Sequence, residues 1–312
     1  MKKSLAFALV SMTSIAVFAL VAMTSIAVFA AFGDNDAAGA NTNQMQTNAS
    51  SNRESNFNVN FEINVISREA GSGTRGAFIE LMGILVDGMD MTNPHADIAN
   101  GTNIVIASVA NNLYGIGYIS MSSVGSNVRG LSIDGIEPTA ENVLNGSYAV
   151  MRPFLITVQN NDNPLRDDFI EYILSAEGQE IVAASYVPMG TDRPAFTGGN
   201  LSGTLVVSGS TSVYPVMSRL AEAYSDLTGV TVEVHSMGSS AGITQAIDGT
   251  VDIGMSSRDL NADELAQVNA IAIAYDGLAV IVHPGNPLTS ITSEEVRRIF
   301  VGELTRWNTV ID

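Results

Sequence analysis

From residue 59 onward, short apolar runs alternate with segments of helical period, and the turns leading from run to helix are rich in glycine and hydroxyl side chains. Nothing else in the sequence narrows the fold as far. Strands alternating with helices in this way pack as an α/β protein with mostly parallel sheets, in which ligands sit where strand C-termini meet helix N-termini. Strands are expected over residues 61–67, 103–109, 115–120, 154–158, 204–208, 230–235, 253–255 and 271–283. Helices are expected over 74–85, 165–185, 213–227, 241–247 and 293–300, with a Gly/Pro/Thr-rich linker over 190–203.

Three of the strand-to-helix turns carry the same chemistry: REAGSGTR at 68–75, SGSTS at 208–212 and GSSAG at 238–242. Each offers backbone N–H groups that a helix start leaves without intrahelical acceptors, hydroxyl donors, and glycines that let a ligand approach closely. That set suits a tetrahedral oxyanion. One such turn alone is ordinary helix capping; three of them, one with Arg68 and Arg75, favour a ligand. The GSGT at 71–74 lacks the Gly-Lys-Ser/Thr ending of a nucleotide loop. GSSAG does fit G-x-S-x-G, so a serine hydrolase is the alternative. Ser240 would be its nucleophile, His283 its base, and Asp252, Asp259 or Asp276 the third member. His283 precedes Pro284 at the end of an apolar run, which is a poor setting for a mobile base.

Composition removes several other classes. The chain has 312 residues, with Lys+Arg 14 against Asp+Glu 32 and a net charge of −18, so it lacks the basic face that nucleic acid requires. Cysteine is absent, which removes disulfides, thiolate metal sites and thiol catalysis. The histidines at 95, 235 and 283 form no zinc motif. Neither a metal nor a cofactor is expected.

The N-terminus reads as an export segment over residues 1–32, with Lys2 and Lys3 before a long apolar stretch. The stretch is long because MTSIAVFA at 12–19 recurs at 23–30. Eighteen or so apolar residues suffice to span a bilayer, so the segment is either cleaved or kept as a membrane anchor. The flank resembles a lipoprotein leader but places Phe32 where such leaders place cysteine, so no thioether lipid is expected. Residues 33–58, rich in Asn, Ala, Ser and Gly, read as a flexible tether. The expected location is extracytoplasmic, at the cell surface or in the periplasm.

Four stretches, GSTSVYP at 209–215, GSSAG at 238–242, DIGMSSR at 252–258 and SREAGSGTR at 67–75, resemble the phosphate-binding proteins of bacterial high-affinity phosphate ABC importers. DGLAVIV at 276–282, IGYIS at 116–120, NVLNGSY at 142–148 and ILSAEGQ at 173–179 support the likeness, which covers nearly all of residues 60–312. The resemblance implies a two-lobed class II periplasmic-binding-protein fold with phosphate in the interlobe cleft, no chemical step, and delivery to permease subunits. Sulfate and other oxyanions are alternative ligands.

The order of the motifs is reversed relative to the family, so a circularly permuted chain is expected, with 190–203 joining the old ends. A fragment of a tandem duplication would read the same. One lobe is then 152–276 and the other 59–151 plus 277–312, with hinges at 152–158 and 275–282. The implied phosphate donors are Thr211, Ser212 and Ser239 from the first lobe, and Arg68, Ser72, Gly73 and Thr74 from the second. Ser257 stands where many members carry a carboxylate, so Asp276 is the candidate acceptor for the phosphate proton. Arg258 is a further candidate, unless it pairs with Asp259 or Glu264.

Overall fold

The computed structural model describes residues 57–190, 192–198 and 201–311. The expected export segment and nearly all of the expected tether lie outside the described residues.

Strand β1 (Asn64–Arg68) opens helix α1 (Gly73–Leu81), and a hairpin of β2 (Leu85–Val86) and β3 (Met89–Asp90) leads to β4 (Asp97–Ala99), α2 (Thr102–Ala110) and β5 (Gly115–Ser120). Short β6 (Arg129–Gly130) and β7 (Ser132–Ile133) and helix α3 (Ala140–Leu144) precede the long β8 (Met151–Gln159). There follow α4 (Pro164–Leu174), α5 (Ala176–Ala183), β9 (Val187–Pro188), β10 (Thr204–Gly209), α6 (Tyr214–Thr228) and β11 (Thr231–Ser236). Helix α7 (Ser239–Ile247), β12 (Ile253–Ser256), α8 (Ala262–Leu265), β13 (Val268–Val282), β14 (Ser290–Ile291) and α9 (Ser293–Phe300) complete the path.

The main sheet runs β11-β10-β12-β8-β13-β5-β1-β4, with β6 and β9 also paired to β13. Each end is parallel, β4-β1-β5 on one side and β11-β10-β12 on the other. Between them β8 and β13 run antiparallel to their neighbours and to each other. The sheet is therefore mixed where the sequence pattern suggested mostly parallel strands. Strand β13 joins the two ends: it pairs with β8 up to Gly277 and with β5 from Leu278.

Two main cores flank this junction. One gathers Ile63 to Val150 side chains such as Phe78, Ile84, Tyr118 and Tyr148 with Val280, Val296, Phe300 and Trp307. The other gathers Phe154, Ile156, Phe169, Val207, Met217, Tyr224, Ile253 and Ile273. Strands β5 and β12 are buried along their whole length, as strands covered on both faces must be. Helix α9 shows how the sequence enforces its own limits: a Thr292/Glu295 capping box starts it, and Val296, Ile299 and Phe300 face the core. Each such side chain contributes about 1.5–3 kcal/mol by its burial.

Three element expectations change as well. The helix expected over 74–85 ends at Leu81, and Leu85 opens β2. Residues 103–109 were expected as a strand because of their β-branched content, yet they lie in α2. Its buried Thr102, Val105 and Val109 follow a helical period that a stretch this short barely displays. The single helix expected over 165–185 is broken at Ser175, which ends α4 and caps α5 by accepting from Gly178 N–H at 3.2 Å. The first and last described segments lie together: Ile63 N–H donates to Thr305 O at 2.9 Å and Trp307 N–H to Phe61 O at 3.2 Å.

Candidate binding site

The C-terminal end of β1 presents Arg68, and the backbone there is pinned on both sides. Arg68 N–H donates to Tyr118 Oη at 3.2 Å, and Arg68 O accepts from Arg75 Nη1 at 2.7 Å. Tyr118 is itself fixed by stacking on Phe78, with ring centroids 3.7 Å apart. The Arg68 side chain is 1% exposed. Its Nε and Nη2 donate to the Glu69 carboxylate at 2.8 and 2.7 Å, and Nη2 also donates to Thr211 Oγ1 at 3.0 Å. Nη1 is buried and has no hydrogen-bond partner among the described residues. Burial alone would raise the Glu69 carboxyl, but the Arg68 bonds and charge outweigh it and hold it below its ordinary value. Glu69 also accepts from Gly101 N–H at 3.2 Å.

Around this guanidinium four helix starts converge. Ser72 caps α1 by accepting from Arg75 N–H, which leaves the Gly73 and Thr74 amides among those an α-helix start cannot satisfy internally. Thr74 Oγ1 lies 2.8 Å from Ser212 Oγ, just ahead of α6. Ser239 begins α7 after Gly238, whose φ of 109° is one that L side chains rarely adopt. Its hydroxyl accepts from Ser257 N–H at 3.1 Å, and Ser210 Oγ donates to Ser257 Oγ at 2.9 Å. Thr102, at the start of α2, lies 3.2 Å from Thr211 Oγ1 and 3.4 Å from Ser212 Oγ. All these hydroxyls except that of Thr211 belong to buried residues.

The two halves meet across this cluster. Besides the Arg68–Thr211 and Thr74–Ser212 contacts, Ser240 N–H donates to Gly71 O at 3.1 Å. The approach is tight enough to require glycine at 73: a Cβ there would collide with Ser239 Oγ and sit 2.8 Å from Ser257 Oγ.

The cluster thus brings together Arg68, Ser72, Gly73, Thr74, Thr211, Ser212, Ser239 and Ser257. Two expected members are placed otherwise. Asp276 is fully buried with its oxygens engaged: Oδ1 accepts from Ser120 Oγ at 2.7 Å, and Oδ2 accepts from Arg152 Nε and Nη2 at 3.3 and 3.1 Å. Burial pushes Asp276 up and Arg152 down, and their mutual attraction opposes both shifts. The carboxylate expected to accept from the ligand is thus bonded to Ser120 and Arg152 in this arrangement. Arg258 is held by Glu264 through two 2.8 Å bonds and reaches Ser240 Oγ at 3.2 Å, in an outer groove shared with Arg75 and Asp90. It is the ion-pairing alternative, not the ligand donor, that the geometry supports.

The hydrolase alternative fails on position. The C-terminal ends of β1 and β5 face the cluster, and β13 runs antiparallel from Leu278, opposite Ser120, away from it. His283 lies five residues further along, about 17 Å at about 3.4 Å per residue. Its Nδ1 accepts from Gly285 N–H at 2.8 Å in a turn. The group that touches Ser240 is the Arg258 guanidinium, which cannot act as a base.

Sequence reading missed Thr102, and it placed Arg152 only as the start of a hinge. The Gly101-Thr102 pair carries the same glycine-hydroxyl signature as the other three turns, but reading 103–109 as a strand hid it. Arg152 had no local signal, because its partner is far away in sequence.

The profile described as a PBP superfamily domain matches residues 19–177 and 194–311. Phosphate-binding protein PstS 2 of Streptococcus agalactiae serotype V is 41% identical over 255 residues, covering 79% of this chain and 87% of that protein. Its namesake from Streptococcus pneumoniae serotype 4 is 43% identical over 254 residues, covering 80% and 87%. The crystal structure of a phosphate-binding protein of a phosphate ABC transporter from Streptococcus pneumoniae TIGR4 superposes with a TM-score of 0.66 at 43% identity, covering 80% of this chain and 99% of that one. These are binding proteins by name, and the likeness carries both sequence and fold. The chain belongs to the phosphate-binding protein family of the PBP superfamily, with that family's two-lobed α/β fold.

Proposed function

We propose that the protein is a receptor for inorganic phosphate that closes its two lobes on the anion outside the cytoplasm and hands it to the permease subunits of an ABC transporter. The observation that carries this reading is Arg68 Nη1, buried among four helix starts with no partner among the described residues. A buried cationic N–H left unpaired is costly, and an oxyanion supplies the acceptor it lacks. Arg68 Nη1, the Gly73 and Thr74 amides, and the hydroxyls of Ser72, Thr211, Ser212, Ser239 and Ser257 form the donor set. The relatives' names point to phosphate as the oxyanion. Surface charge of −18 does not oppose this, because charges beyond a Debye length of about 8 Å are largely screened.

The lobes, 59–151 plus 277–312 and 152–276, turn about β8 and β13 in this account. Either circular permutation or a tandem-fragment origin accounts for the motif order, and the contact between 61–63 and 305–307 is compatible with both. Native mass spectrometry of the purified protein tests the ligand: one phosphate retained per chain, in preference to sulfate, is expected. Sulfate held equally well would make this a general oxyanion receptor. Ser240→Ala is expected to change phosphate affinity less than about threefold and serves as the control against ester hydrolysis. Turnover of an ester that this substitution abolishes would overturn the receptor.

The N-terminal apolar segment is proposed to hold the protein at the membrane without a thioether lipid, since the chain has no cysteine. Deleting one MTSIAVFA copy should move protein from the membrane fraction to the soluble fraction. An unchanged distribution would remove the doubled segment from anchoring.

A further inference from the structure

We infer that the buried Arg152–Asp276 pair is a positioning element that links the binding cluster to the hinge and sets how firmly the lobes close on the anion. The inference rests on the receptor reading. Arg152 on β8 stands directly opposite Asp276 on β13, one residue before Gly277, and β13 exchanges β8 for β5 immediately afterwards. The pair therefore occupies the point where both interlobe strands pass.

Its remaining bonds lead in two directions. Asp276 Oδ1 accepts from Ser120, the last residue of β5 in one lobe. Arg152 Nη1 donates to Ser257 O at 3.1 Å in the other lobe. Ser257 is itself a member of the cluster, with its N–H on Ser239 and its hydroxyl receiving Ser210. A continuous polar path thus runs Ser120–Asp276–Arg152–Ser257–Ser239, with one end in each lobe and the pair at the crossover. Both terminal bonds are made in the arrangement that also makes the Arg68–Thr211 and Thr74–Ser212 contacts. Rotation at Gly277 changes the placement of Ser120 relative to Arg152, so closure and the Ser257 position are tied together.

Stability alone gives no reason for such a pair. Desolvating two charges costs several kcal/mol each, and well-packed apolar residues in their place are often neutral or stabilising. A buried pair with bonds into both lobes has instead a directional task. Neither side chain needs to touch the anion.

Three variants separate this role from a merely structural one: Ser120→Ala, Asp276→Asn, and the double change Arg152→Met with Asp276→Leu, which leaves no lone buried charge. The chain has no cysteine, so a pair introduced on the two lobes takes fluorophores cleanly and reports closure. Asp276→Asn is expected to weaken phosphate binding by about 5- to 150-fold, the usual range of coupling between sites. Ser120→Ala should weaken it less, and the closure signal of both should saturate only at higher phosphate. The double variant should keep the melting temperature of the ligand-free protein while still losing affinity, since Ser257 O has lost its donor. Retained affinity in Ser120→Ala and in the double variant, each within about threefold of a wild type that does bind phosphate, overturns the inference and leaves the receptor standing. A wild type that ignores phosphate overturns both.

Discussion

Arg68→Ala is expected to lower phosphate affinity by about thirtyfold to several thousandfold, from the roughly 2–5 kcal/mol that truncating one partner of a buried charge pair costs. Arg68 is held by Glu69 and by Thr211, and among the described residues only its Nη1 has no acceptor. The substitution therefore removes the ligand's charge-assisted donor and also leaves the half-buried Glu69 carboxylate facing the cluster without its cationic partner, with Gly101 N–H still donating to it. The second consequence adds like-charge repulsion to the loss of a bond. Calorimetric titration of the folded variant measures the effect. Binding within about threefold of wild type would remove Arg68 from the site.

Gly73→Ala should produce opposite changes in affinity and in stability. In the first turn of α1 alanine is the better helix former by up to about 1 kcal/mol, so the ligand-free protein, with its lobes apart, should melt no lower than wild type. On closure the added methyl meets the Ser239 hydroxyl and side chain from the other lobe. Overpacking of this kind costs about 1–3 kcal/mol, which predicts a loss of about 5- to 150-fold in phosphate affinity. Affinity equal to wild type would mean that the lobes bind the anion without approaching as closely as they do here. A lowered melting temperature with unchanged affinity would assign Gly73 to folding.

Much of the candidate site was legible because its chemistry is local. Arg68, Ser72, Gly73 and Thr74 fall in one turn, Thr211 and Ser212 in another, and Ser239 in a third, and each turn announces itself through glycine and hydroxyl residues before a helical period. The alternation of runs and helices gave the α/β class for the same reason. What stayed hidden depended on partners distant in sequence. Asp276 next to Gly277 reads as a free carboxylate at a crossover until Arg152, 124 residues away, is brought against it. Arg258 reads as a candidate anion ligand until Glu264 takes both its forks. Helix α2 was misread because Ile104, Val105 and Ile106 favour strands locally, and only the burial of Val105 and Val109 against the sheet decides for a helix. The antiparallel β8 and β13 were recognisable as strands, while their direction follows from the two-lobed topology and leaves no trace in a run of apolar residues.

The central claim is that this cleft binds one oxyanion, chiefly through Arg68 and the surrounding helix starts. Calorimetric titration of the purified, phosphate-stripped protein with inorganic phosphate tests it most directly, with Arg68→Ala titrated alongside. The account predicts a saturable isotherm with one phosphate per chain for the wild type, and a loss of about thirtyfold or more for the variant. No saturable heat from the wild type, or the same isotherm from both proteins, would contradict it.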